Sequence, residues 1–242
     1  MREHVSPGRR CILGVFAHPD DETSAAAGTF TRYARDGVEV YVATATRGEL
    51  GTLGGGGTTI RREDLPAVRE AELRSVLRLY GARPPILLGY HDQGLAAADQ
   101  QKLVGKVLSV MHEVSPDVVI TFGPTGISRH EDHIAIHRAT IDAFERYRTP
   151  GNSAARLFFV AIPKDVAEQF ELDLDERETS PTMAIDIAEH KPTKIKALRM
   201  HRSQEDAQEL ADMFEGSSFD AEYFHQWCPP YEGHEVLSDF WE

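Results

Sequence analysis

Apolar and polar residues follow one another in blocks along this chain, and the period changes from block to block. Residues 11–17, Cys-Ile-Leu-Gly-Val-Phe-Ala, form an unbroken apolar run. A run of that length fits a strand buried on both faces. Residues 23–35 are Ala-rich and then charged, which predicts a helix stopped by Gly37. Residues 38–45 are β-branched and aromatic and predict a second strand, so the chain opens on a βαβ unit. Residues 63–80 carry Val68, Leu73, Val76, Leu77 and Tyr80 at helical spacing, with Gly81 placed as a C-cap. Residues 85–89 predict a short strand, 100–113 a helix, 118–122 a strand, 132–147 a helix and 157–162 a strand. Strand and helix thus alternate through five strands. That order defines an α/β fold, a Rossmann-like, mostly parallel sheet with helices on both faces.

After Pro163 the pattern weakens. Residues 182–187 predict an edge strand and 191–214 a helical stretch. The last segment, 206–242, reads as an aromatic tail carrying Tyr223, Phe224, Trp227, Tyr231, Phe240 and Trp241. It is expected to pack back on the domain or on a partner subunit, which makes a homo-oligomer one expectation. The whole of 1–242 reads as one domain with its core over roughly 10–205. Residues 47–59, rich in glycine, form a loop, read either as a mobile or substrate-facing segment or as plain surface. No Gly-Lys-Ser/Thr follows it, so it is not a P-loop.

Composition narrows the function classes. With 242 residues, 41% of them hydrophobic, the chain can bury a substantial core. A net charge of −13 without Lys/Arg runs argues against a nucleic-acid partner. Of the two cysteines, Cys11 sits in the first apolar run and Cys228 reads as a loop residue, so neither a disulfide framework nor a Cys-based zinc site is expected. Residues 1–10 are polar and no apolar stretch reaches membrane-spanning length, so no signal peptide and no membrane partner are expected, and the location is read as cytoplasmic.

The chemistry gathers at two strand ends. His18, Asp20 and Asp21 follow the first predicted strand, and His130, Asp132 and His133 follow the strand ending at Phe122. Open parallel sheets bind ligands at the carboxyl ends of their strands, so the two clusters can meet. A hydrolytic zinc site needs about three protein ligands and an open position. His18, Asp21 and His133 can supply them, Asp20 is left over as the base, and Asp132 can orient an imidazole. His/Asp/His ligation does not select zinc over other divalent ions. The competing reading of residues 20–23 is a helix start capped by an Asp or by Thr23. Among the other histidines, His91 faces either the pocket or a structural partner, and His137 reads as a supporting residue. His201 reads as an approach from the late helix, while His4, His112, His190, His225 and His234 read as surface or satisfied polar groups.

The segment Ala17-His18-Pro19-Asp20-Asp21-Glu22 resembles the signature of the LmbE-like, or PIG-L, deacetylases. Thr46-Arg47-Gly48-Glu49, Arg69-Glu70-Ala71-Glu72, Asp92, the group His130, Asp132 and His133, and His201-Arg202-Ser203-Gln204 match further family segments in order. The resemblance covers roughly residues 10–205. It implies a zinc enzyme that removes the acetyl group from an N-acetylglucosamine-type conjugate, a small-molecule partner. His18, Asp21 and His133 would bind zinc and Asp20 would be the general base. His130 would act as general acid or oxyanion-stabilising cation, Asp132 would tune a histidine, and Glu49, Arg69 and Asp92 would line the sugar pocket. Arg129 and Glu131 stand where the family usually has Gly and Pro. Two other readings of the same residues are a metal-dependent phosphoesterase and a non-catalytic, metal-stabilised sugar-binding module.

Overall fold

In the computed structural model, which describes residues 10–54 and 59–242, strand β1 (Cys11–Phe16) is buried at every position. That is the environment of a central parallel strand. There follow α1 (Asp21–Arg35), β2 (Glu39–Thr44), α2 (Leu65–Tyr80), β3 (Ile86–Leu87), α3 (Gln100–Val114), β4 (Val118–Thr121), α4 (Glu131–Tyr147) and β5 (Arg156–Ala161). The remainder comprises α5 (Lys164–Gln169), α6 (Glu176–Thr179), β6 (Met183–Asp186), α7 (Lys191–Met200), α8 (Glu205–Gly216) and β7 (Ala221–Cys228). The described strands form one sheet in the order β3-β2-β1-β4-β5-β7-β6. Strands β1 to β5 pair in parallel, and β7 runs antiparallel to both β5 and β6. The polar segment 1–9 and the run 55–58 within the glycine loop lie outside the described residues.

The strand order reverses between β1 and β4. The chain moves outward through β2 and β3, then returns to lay β4 on the other flank of β1. Right-handed crossovers in opposite directions put their helices on opposite faces, with α3 and α4 packed together and α1, α2 and α7 in a second group. The crevice at such a reversal opens at the carboxyl ends of the two strands. His18 follows β1 there, and the segment carrying His130 and His133 follows β4.

Two expectations for the C-terminal third change. The helical stretch breaks at His201–Gln204 into α7 and α8. The aromatic segment is part of the sheet, because β7 is inserted between β5 and β6, and Cys228 ends that strand instead of lying in a loop. Phe224 and Phe240 are fully buried, and Phe240 stacks on Tyr33 at 5.3 Å between centroids. The inward positions of β7 are Glu222, Phe224 and Gln226. With polar residues at two of them, apolar alternation could not reveal the strand.

Glu222 explains its own burial. Helix α1 is broken at Ala26, whose φ of −149° is not helical. The break frees backbone groups that need partners. Gly28 and Thr29 donate their N–H groups to the Glu222 carboxylate at 3.1 and 2.7 Å. Lys194 Nζ donates to the Ser24 carbonyl and to Glu222, both at 2.6 Å. A buried ion pair thus fills the gap in α1.

Candidate metal centre

His18 is held from both sides of its ring. Its Nε2 lies 3.0 Å from Asp92 Oδ1 and 3.2 Å from Asp132 Oδ2. Its Nδ1 faces His133 Nε2 at 3.2 Å and Asp21 Oδ2 at 3.7 Å. His133 Nε2 lies 3.3 Å from Asp21 Oδ1, while its Nδ1 donates to the Gly126 carbonyl at 2.9 Å. Those outer partners set the tautomers. Once the rings give up any extra proton, leaving one on His18 Nε2 and one on His133 Nδ1, the lone pairs of His18 Nδ1 and His133 Nε2 face a common point beside Asp21. Two imidazole nitrogens and a carboxylate are a fitting donor set for a divalent cation. Asp20, Asp92 and Asp132 add further negative charge around them, with Arg69 as counter-charge.

His130 is the N-cap of α4, and its Nδ1 accepts the Asp132 N–H at 3.2 Å. Its ring lies 4.7 Å from that of His18, and ring nitrogens of His18, His130 and His133 fall within 4.8 Å of one another. Because Nδ1 is an acceptor, neutral His130 carries its proton on Nε2 and presents a donor at that atom. Burial, with His18 and His133 nearby, lowers its pKa, so the neutral form is favoured over a cation.

The two adjacent carboxyl groups are pushed in opposite directions. Burial would raise Asp21, yet His133 and His18 hold it below the ordinary carboxylate range. Burial raises Asp20 to about 7 despite Arg69. Burial would lower His18, but Asp132, Asp92 and Asp21 carry it up to about 10. Asp92 is drawn to about 2 by its bond to His18, against burial. A pair of carboxyls split this way separates an ionised group from one able to exchange a proton near neutrality.

Asp20 occupies the N-cap position of α1, so this segment is a helix start as well as part of the cluster, but the Asp20 side chain makes no cap. It sits at φ 105°, a strained conformation for a residue with a Cβ. Its N–H is caught by Glu22 Oε2 at 3.0 Å, and its Oδ2 accepts from Arg69 Nη2 at 3.0 Å. The same Arg69 nitrogen donates to the Pro19 carbonyl, and Nη1 donates to the Gly48 carbonyl at 3.2 Å. Gly48, at φ 64°, is required here, since a Cβ would stand 2.2 Å from Arg69. Behind Asp20, buried Glu22 lies 3.4 Å from His201 Nε2 and accepts from Thr23 Oγ1 at 2.5 Å.

His18, Asp20, Asp21, Arg69, Asp92, His130 and His133 line a single cavity of about 700 Å³. Asp132 is fully buried, bound by the N–H groups of Gln93 and Leu95. Glu49, expected to face the sugar, is not on the cavity wall. Its carboxylate accepts the Asp92 N–H at 3.1 Å. Arg69 and Asp92 reach the wall with their hydrogen bonds directed inward, Asp92 also accepting from Leu50 N–H at 2.9 Å. His91 is exposed and off the cavity wall. His137 is buried, with Nδ1 2.8 Å from the Phe122 carbonyl, a supporting role. Arg129 and Glu131 are also off the wall, and Arg129 reaches Asp173 at 2.5 Å.

The reading of the sequence missed Glu178. This fully buried carboxylate in α6 accepts the N–H groups of Thr125 and Ile127 at 3.2 and 3.3 Å and the Thr125 hydroxyl at 2.6 Å. It fastens a loop that holds Gly126, Ile127 and Arg129 at φ 65°, 63° and 60°. At Gly126 a Cβ would stand 2.4 Å from that of His133. Asp175-x-x-Glu178 does show a capping box, which forms, but nothing local points back fifty residues to this loop. Glu178→Ala is expected to cost about 2–3 kcal/mol in urea unfolding, through the orphaned N–H groups. It is also expected to weaken zinc binding about tenfold in a competition titration, because Gly126 orients His133. Unchanged zinc affinity would show that the loop does not orient that ring.

The chain is thus a doubly wound α/β protein with an acid–imidazole cluster at the reversal of its sheet, a group of donors that could hold a metal ion. It belongs to the PIG-L family, whose model, described as GlcNAc-PI de-N-acetylase, matches residues 13–144. A Bacillus cereus relative, named as a probable N-acetyl-alpha-D-glucosaminyl L-malate deacetylase, is 35% identical over 199 residues, covering 82% of this chain and 85% of the relative. The fold matches N,N'-diacetylchitobiose deacetylase from Pyrococcus horikoshii with a TM-score of 0.68 at 22% identity, covering 91% of this chain and 84% of the other. It also matches GalB, the 4-carboxy-2-hydroxymuconate hydratase from Pseudomonas putida KT2440, with a TM-score of 0.70 at 17% identity, covering 93% and 99%. The last likeness means that the fold alone does not fix the reaction. No helix among the described residues is long and apolar enough to cross a membrane.

Proposed function

We propose that this chain is a divalent-metal-dependent deacetylase that cleaves the acetamide of an N-acetylglucosamine-type conjugate, giving acetate and a free amine. The observation that carries the reading is the convergence of His18 Nδ1, His133 Nε2 and Asp21 beside a carboxyl raised toward neutrality. His18, Asp21 and His133 would hold the ion, zinc or another divalent metal that accepts the same donors. Such an ion supplies Lewis acidity, polarising the acetamide carbonyl and lowering the pKa of water toward ~7.

The remaining work falls to the chain. Asp20 takes a proton from the attacking water on Oδ1, since Oδ2 is occupied by Arg69, and delivers it to the departing nitrogen. His130 Nε2–H donates to the oxygen that becomes negative. Asp92 and Asp132 fix the His18 tautomer, and Glu49 and Arg69 brace Asp92 and Asp20. The deacetylase name of the Bacillus cereus relative and the raised Asp20 carboxyl favour amide cleavage over phosphoester chemistry or a purely binding role.

Chelation is expected to abolish free-amine release from N-acetylglucosaminides, and one equivalent of zinc to restore it. His133→Ala should bind no zinc and recover nothing. Full turnover by the chelated protein would exclude this mechanism.

A further inference from the structure

The cavity continues well beyond the acid–imidazole cluster, along a wall built from α5, the turn after it and α8. Val166, Phe170, Leu172, Leu210, Met213 and Phe214 line that part. Phe170 is 43% exposed and Leu50, which also lines the cavity, 44% exposed. Both are among the few large apolar side chains that the described surface leaves open, and contiguous exposed apolar surface marks a binding site. A volume of about 700 Å³ lies in the range of sites that enclose drug-sized ligands.

Of the charged groups on this stretch, Lys194 and Glu222 are paired with each other, and the exposed Asp206 of α8 adds a negative charge. Lys194 is bound to Glu222 and the Ser24 carbonyl and lies 4.6 Å from the centroid of the Phe214 ring. Glu222 is further bound by Gly28 and Thr29. Arg69, another lining cation, is spent on Asp20, Pro19 and Gly48. An anionic or polyol substituent would lose water here and find few partners. Hydrocarbon would lose nothing.

We propose that the substrate carries an apolar arm, an alkyl or aryl aglycone on the acetylated amino sugar, which lies against Phe170, Leu210 and Met213 while the acetamide sits at the His18–His133 cluster. This rests on the deacetylase reading for the acetamide, but the arm's seat can be tested without it. Burial of one methylene is worth about fourfold in binding. From methyl to hexyl N-acetylglucosaminide, kcat/KM for free-amine release is expected to rise at least tenfold through KM. Hexyl glucoside, which has no acetamide, should bind in calorimetry. Met213→Asp, and separately the exposed-site variant Phe170→Ser, should remove the chain-length dependence and weaken hexyl glucoside binding while leaving methyl glycoside turnover unchanged. Equal kcat/KM for the methyl and hexyl substrates, or hexyl glucoside binding untouched by both variants, would overturn the arm. Hexyl glucoside binding that both variants weaken, with no amine released from any substrate, would support the arm and overturn the deacetylase reading alone.

Discussion

Asp20→Asn is expected to lower kcat for amide cleavage by about 10²- to 10⁴-fold, the usual contribution of a positioned proton-transfer group. Zinc content should stay at the wild-type level, because Asp20 is not among the converging donors. The substitution keeps the side chain's shape and leaves Arg69 its bonds to Pro19 and Gly48. It removes only the ability to take up a proton. The pH profile makes the same point. Burial holds the Asp20 carboxyl up at about 7, and the base is active only when ionised, so kcat/KM falls as pH drops through that value. A cation bound by neighbouring Asp21 would draw the limb lower, placing it at or below about 7. The limb should be missing from the residual activity of the variant. Retention of more than a tenth of wild-type kcat would assign the proton transfer to another group.

The largest expected effect on stability lies away from that cluster. Lys194→Met should destabilise the fold by about 3–5 kcal/mol, the cost of leaving one member of a buried ion pair without its partner. Lys194 and Glu222 are 1% and 4% exposed, so solvent cannot take over from the lost ammonium. Methionine replaces most of the packing volume, which leaves charge as the main loss. Adding Glu222→Gln should recover part of it. The recovery is incomplete because Gly28 and Thr29 then donate to a neutral acceptor at the break in α1. Urea unfolding of both single variants and the double variant gives the coupling directly. A single-variant loss below about 1 kcal/mol would mean that the pair is solvated in solution.

The parts of the site that lie within a few residues of one another were legible in the sequence. His18, Asp20 and Asp21 fall in one turn after an apolar run, and His130 to His133 fall in one turn after another. The rule for parallel sheets was enough to expect them together, and the structure places His18 and His133 3.2 Å apart. What escaped was set by long-range partnership. Glu49 was expected at the sugar because the family resemblance implied it, but its carboxylate is committed to the Asp92 backbone. Glu178 acts through a loop fifty residues earlier in the chain. Strand β7 was hidden because Glu222 faces inward to serve the broken helix α1 and Gln226 faces inward beside it. Arg129, where a glycine was the family expectation, holds the left-handed φ of 60° and directs its charge to Asp173. The altered motif still brings the ring nitrogens of His130 and His133 within 4.8 Å of that of His18.

The decisive measurement is the release of acetate and free amine from a simple N-acetylglucosaminide by zinc-loaded protein, with Asp20→Asn run alongside at equal zinc content. Equimolar acetate and amine from the wild type, falling at least a hundredfold in the variant, is the expected result. Zinc-loaded wild type that releases neither product, or cleaves an aryl phosphate faster than any amide, would contradict it.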